Sequence, residues 1–185
     1  MRDTILLLFT VLLFFQACSK SDNKVDIPTC DDCEFTCIGE DNGLEIWTND
    51  CRDNWTCEFE VLTNSRIATD ETFGIGDGDN TVFRMVASTQ GDLAIADDEF
   101  TSILVFELDS GQESFSLEGD ALLDMNVQHL LSCFCPNVAF RPAASGCLQG
   151  ERQDDGSWFV QSNLTFNDLN FDTPFELAVD AQFVE

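Results

Sequence analysis

Phe175-Glu176-Leu177-Ala178-Val179-Asp180-Ala181-Gln182-Phe183 alternates apolar and polar residues over nine positions. Phe175, Leu177, Val179, Ala181 and Phe183 fall on one side of an extended chain, and Glu176, Asp180 and Gln182 fall on the other. Period-two alternation is the mark of a strand with one buried face, because successive side chains point to opposite sides of a sheet. Upstream, Trp158 to Phe166 repeats the pattern, with Trp158, Val160, Leu164 and Phe166 on a shared face. The turn-forming residues Asn167 to Pro174 between the two runs predict an antiparallel hairpin.

Similar signals extend outward. Cys57, Phe59 and Val61 alternate with Glu58 and Glu60. Thr81 to Ala87 and Thr101 to Leu108 are richer, with Ile103 and Val105 opposed by Leu104, Phe106 and Leu108. Apolar residues on both sides predict a central strand. Gly119 to Leu131 departs from alternation: Leu122, Leu123, Met125, Leu130 and Leu131 stand nearer helical spacing, and Asp120 is placed as an N-cap, so a short helix is expected near 120–131. Eight or nine short strands separated by Gly, Asn and Asp turns predict a mainly β fold, an antiparallel β-sandwich, with a closed β-barrel as the second choice.

The amino-terminal residues follow different physics. Ile5 to Phe15 is an apolar run of eleven residues broken only by Thr10. At about 1.5 Å per residue such a helix cannot cross a hydrocarbon core of roughly 30 Å. It has the length of a signal-peptide h-region, preceded by Arg2. The run leads into Phe14-Phe15-Gln16-Ala17-Cys18. A small residue directly before a cysteine at this place resembles the lipobox of bacterial lipoproteins, with Phe14 where leucine is usual. The resemblance implies a diacylglyceryl group on the Cys18 thiol and removal of residues 1–17. The polar stretch 19–29 then reads as a flexible tether, and 30–185 as a single β-rich domain. Together with the acidic, cysteine-bearing β-domain, this start resembles the small lipoproteins of Bacteroidota. That likeness implies a lipid anchor in the outer membrane or cell envelope; Ser19-Lys20-Ser21-Asp22 matches only in part the acidic signal that sends some of them to the surface, so either orientation stays open.

Cysteine parity points the same way. The chain has nine cysteines, an odd number for an exported protein. Setting Cys18 aside leaves Cys30, Cys33, Cys37, Cys51, Cys57, Cys133, Cys135 and Cys147, an even set suited to a disulfide framework. Cys51 and Cys57 flank a short loop that a local bridge would close. If all eight are oxidised with that bridge in place, three thiols remain in each of two distant clusters. At least one bridge then joins Cys30, Cys33 or Cys37 to Cys133, Cys135 or Cys147. Two sharper readings of the same residues carry less weight in an oxidising compartment: a zinc site built from Cys30, Cys33, Cys133 and Cys135, and a redox pair at Cys30 and Cys33, where the intervening acids would raise the thiol pKa.

Charge narrows the partners. Thirty-five acids against eight basic residues give a net charge of −27. Beyond Lys24 the cations are Arg52, Arg66, Arg84, Arg141 and Arg152, scattered singly. Nothing in this distribution suits a phosphate backbone, so nucleic acid is not expected as a partner. Anionic lipid would repel the domain, leaving the lipid on Cys18 to hold the membrane. A protein or glycan partner is left unspecified.

Catalytic signals are sparse. The single histidine, His129, falls in the expected short helix without a recognisable triad or metal context. No phosphate-cradling glycine loop, nucleophile elbow or H-E-x-x-H is present. So many carboxylates make any proposed hydrolytic pair uninformative. No cofactor is expected other than calcium. Gly74-Ile75-Gly76-Asp77-Gly78-Asp79-Asn80 places oxygen donors Asp77 and Asp79 in a glycine-rich turn, and Asp97-Asp98-Glu99 is a second acidic stretch. The alternative for both is an ordinary turn with solvated acids. Of three tryptophans, Trp55 in the Cys51–Cys57 loop is the one placed for exposure and for sugar contact. The expectation is a non-enzymatic lipoprotein with a binding or envelope-structural role; the alternatives are a carbohydrate-binding accessory lipoprotein and a hydrolase using paired carboxylates. Substitution of Cys18 by Ser should abolish incorporation of labelled palmitate and release the domain in folded, soluble form; labelling that persists contradicts the anchor.

Overall fold

The computed structural model describes residues 46–68, 74–89, 99–133, 138–167 and 173–185. Residues 1–17, the tether at 18–29, and Cys18, Cys30, Cys33, Cys37 and Cys135 lie outside the described residues. The fold is mainly β. Its strands are β1 (Ile46–Trp47), β2 (Trp55–Ala68), β3 (Gly74–Asp77), β4 (Asn80–Thr89), β5 (Thr101–Asp109), β6 (Ser114–Glu118), β7 (Gln128–Ser132), β8 (Arg141–Arg152), β9 (Trp158–Asn167) and β10 (Pro174–Phe183), with one helical turn α1 (Ala121–Asp124).

The strands run in the order β1-β10-β9-β8-β7-β5-β4-β2-β3, and β6 pairs with the remaining edge of β8. The sheet folds over at β8. The start of β8 pairs with β7, while its length pairs with β9 on one side and β6 on the other. One layer therefore holds β1, β10, β9, β8 and β6, and the other holds β7, β5, β4, β2 and β3. At the opposite seam Val184 exchanges backbone hydrogen bonds with Phe59 and Val61, a single parallel bridge. The sheet is not closed into a barrel; the sandwich is the architecture.

Alternation dictates what fills the space between the layers. The predicted hairpin forms, with Phe166 opposite Phe175 and Trp158 opposite Phe183. Trp158, Val160, Leu164, Phe166, Leu177, Val179, Ala181 and Phe183 are all buried. From the other layer come Phe59, Val61, Phe83, Met85, Leu104, Phe106 and Leu108. Phe83 stacks on Phe106 at 4.6 Å and meets Trp158 edge-on at 5.2 Å. Phe183 meets Phe59 at 5.2 Å. Such offset and edge contacts add about 0.5–1.5 kcal/mol each beyond area burial. β5 is central, as its two-sided sequence predicts: Val105 is fully buried on the outer side with Val82 and Ile67.

Two expectations need correction. The helix near 120–131 is one turn, and residues 128–132 form β7 instead. Asn126 adopts φ 49°. The Val127 amide reaches back to the Leu122 carbonyl and the Asn126 amide to that of Leu123, a Schellman ending in which Val127 also packs with Leu122. Asn126 donates to Glu107 Oε1 at 2.6 Å, and the Glu107 amide bonds to the Met125 carbonyl. Pairing of Ile103 with Leu130 and Leu104 with His129 then outweighs helical spacing. Asp120 occupies the N-cap position but makes no side-chain cap bond.

The glycine-rich stretch is likewise not a single turn. Gly74–Asp77 is an edge strand on one side of β2, while β4 runs along the other side. The chain crosses β2 between them, at Gly78, whose amide bonds to the Asn64 carbonyl. There β2 carries a bulge between Leu62 and Ser65, with Asn64 at φ 51°. A Cβ on Gly78 would stand 2.6 Å from Arg66 Cβ and 3.0 Å from the Ser65 carbonyl carbon, whereas one on Gly76 meets nothing within 4 Å. Gly78→Ala should therefore cost about 1–3 kcal/mol of overpacking, and Gly76→Ala should stay within about 1 kcal/mol of the native chain. Urea unfolding of the two variants checks this; equal effects would contradict the crossing.

Candidate functional site

The outward side of the β6–β8–β9–β10 layer carries polar residues held on paired strands. Strand registers align its residues into rows. Ser114, Glu151, Phe159 and Gln182 form one row, and Ser116, Gln149, Gln161 and Asp180 form the next. Between them lies an open groove of about 540 Å³ lined by Ser114, Phe115, Gln149, Gly150, Glu151, Phe159 and Gln161. This volume is within the range of small-molecule and oligomer sites. Gln149 Nε2 donates to Gln161 Oε1 at 3.1 Å. Phe159 is 41% exposed, an aromatic ring on a face otherwise built from amides, hydroxyls and acids. On the inward side of this region the Phe115 ring edge packs where a Gly150 side chain would stand.

The rim of the groove is fixed by short turns. Gln153 to Ser157 closes the β8–β9 hairpin, with Gln153 N bonded to Ser157 O at 2.8 Å and Gly156 N to Gln153 O at 2.9 Å. Asp155 Oδ1 accepts from the Ser157 hydroxyl and amide, which hold its carboxyl below the usual range. Gln182 Nε2 donates in turn to Ser157 Oγ. Arg152 pairs with Glu113 at 3.3 Å. Glu151 is the one carboxylate lining the groove among the described residues.

The residues singled out from sequence are distributed elsewhere. Trp55 is half-buried: its ring meets Trp47 edge-on at 4.9 Å, and the Arg52 guanidinium lies 4.5 Å over Trp47. It belongs to the entry of the chain into the domain, where Asn49 mimics a strand by donating to Gln182 O and accepting from Gln182 N. It does not present an open platform. Cys51 and Cys57 are bridged across a Cα separation of 5.7 Å, as the loop length predicts. Cys133 is also disulfide-bonded. Cys147 departs from the framework and is a free, half-buried thiol, so the premise that all eight cysteines pair does not hold here.

Asp77 and Asp79 are exposed, at the end of β3 and in the crossing that follows. Among the described residues no group of three or more His, Cys, Asp or Glu converges. Asp97 and Asp98 of the second acidic stretch lie outside the described residues. His129 is a buried strand residue rather than a helical one. Its Nε2 sits 2.8 Å from Ser102 Oγ, and its ring stacks on Phe175 at 5.0 Å. It is only 4% exposed.

Compared with protein-family models, curated proteins and solved structures, the chain matches none.

Burial pushes the Cys147 thiol up, opposed by a backbone hydrogen bond at Asn163 and reinforced by Glu118. At pH 8 the native Cys147 peptide should alkylate with iodoacetamide more slowly than the same peptide in urea, because both burial and the raised pKa hold back the thiolate. Equal rates, read by mass spectrometry, would contradict this.

Proposed function

We propose that the chain is an exported, non-enzymatic binding protein, held to the outer membrane or cell envelope by a lipid on Cys18, whose outward β6–β8–β9 face is the contact surface. The observation that carries this reading is the groove itself: paired glutamines, a serine, a glutamate and an exposed phenylalanine, set in register on a rigid sheet. Rigid strands hold such groups in place without an ordering cost at binding.

Strand β1 pairs with β10 at the edge of this layer. Strands are about 4.8 Å apart, so the groove lies roughly 10–15 Å across the sheet from that edge. Among the described residues Glu151 is the one carboxylate lining the groove, whereas glycosidic cleavage by acid and base uses two. An abundance of acids elsewhere maintains solubility and rejects anionic partners.

Native chain should sediment with membranes and also bind insoluble envelope material after detergent extraction. Gln149→Arg combined with Gln161→Arg should leave membrane partition and unfolding temperature unchanged but abolish retention on that material. Unchanged retention would contradict the assignment of the face. Hydrolytic turnover lost in Glu151→Gln would contradict the non-enzymatic reading.

A further inference from the structure

We infer that the groove recognises an uncharged glycan segment, with Phe159 as the stacking platform and Gln149 and Gln161 as the hydrogen-bonding pair. The inference rests on the binding role proposed above and gives it a ligand class.

The groups on the page select this class by exclusion and by fit. A peptide joining by strand addition would lie along the outer edge of β6, which pairs only with β8 among the described residues, rather than across the groove face, where β8 is already paired on both sides, with β6 and β9. Anionic ligands meet a chain of net charge −27 and a groove whose one charged lining residue is Glu151. Arg152, the neighbouring cation, is engaged with Glu113. A strongly cationic ligand would require more carboxylates than one.

Hydroxyl-rich ligands fit what remains. Each primary amide offers two N–H donors and a carbonyl acceptor, so it can both give to and take from a sugar hydroxyl. The mutual bond between Gln149 and Gln161 orients the two amides and leaves the Gln149 carbonyl and the Gln161 amino group with capacity for a ligand. Ser114 and Glu151 extend this set along the adjacent row. Phe159 carries a flat apolar face beside them, suited to the axial C–H face of a pyranose. The groove is open rather than enclosed, which suits a chain passing across the sheet.

The test uses purified full-length chain and isothermal titration with cellohexaose, maltohexaose, mannohexaose and xylohexaose as uncharged probes. Hexagalacturonate serves as the anionic probe, chitosan hexamer and hexa-lysine as the cationic ones. At least one uncharged hexasaccharide should bind. Phe159→Ala should weaken it about tenfold, in keeping with the stacking contribution, and Gln161→Leu should do likewise. Leu123→Ala, which removes an exposed apolar side chain from α1, should leave it unchanged. Thermal unfolding of each variant separates lost folding from lost binding. Binding of an uncharged sugar that is indifferent to Phe159 and Gln161 overturns the assignment. Binding of hexa-lysine or chitosan hexamer alone, sensitive to Phe159, overturns the ligand class while the binding face stands. No binding by any probe, together with undiminished envelope retention of the Gln149→Arg/Gln161→Arg variant, overturns both.

Discussion

Phe83 lies parallel to Phe106 and takes the edges of Trp158, Phe115 and Phe183 from the facing layer. These rings come from β4, β5, β6, β9 and β10, so a single aromatic cluster joins both layers of the sandwich. Once it is inward, the period of two leaves no freedom for the rest. Every residue adjacent to a core position in β8, β9 and β10 must face outward, and a slip of one residue would invert both sides. The groove is thus a consequence of the core: Gln149, Glu151, Phe159 and Gln161 are outward because Leu148, Gly150, Trp158 and Val160 are inward.

That dependence explains what sequence could and could not reveal. Alternation in 158–166 and 175–183 makes the hairpin legible, and the spacing of Cys51 and Cys57 makes their bridge legible. The 119–131 segment misleads because its leucines belong to two elements. Leu122 anchors one helical turn, and Leu130 and Leu131 pair with β5. Asn126 in the left-handed region separates them, a break that a count of apolar positions does not register. The Gly74–Asn80 stretch misleads for a similar reason. Its glycine at 78 serves a backbone crossing set by β2, which lies nearby in space and is invisible in the local pattern.

The groove itself was hidden by distance along the chain. Ser114 meets Glu151, and Glu151 meets Phe159, only through pairings between β6, β8 and β9. One signal was available: Phe159 is a large aromatic at a position where the alternation of β9 demands a polar residue. Trp55 drew attention instead because a disulfide loop suggests exposure. Its neighbours Trp47 and Arg52 turn it into packing. The free thiol of Cys147 shows the same limit, since parity counts sulfurs without knowing which of them can meet.

The amino-terminal cysteine and the groove give the proposed role its two ends, one toward the membrane and one toward a partner. The groove is the part on which the account stands. Nuclear magnetic resonance can watch it directly through the side-chain amide signals of Gln149 and Gln161 during titration with the uncharged hexasaccharides. The account predicts saturable shifts in those two amides and in backbone signals of β6, β8 and β9, with Trp47 and Trp55 undisturbed. Shifts centred on the tryptophans, or none on the β6–β8–β9 face, would contradict it.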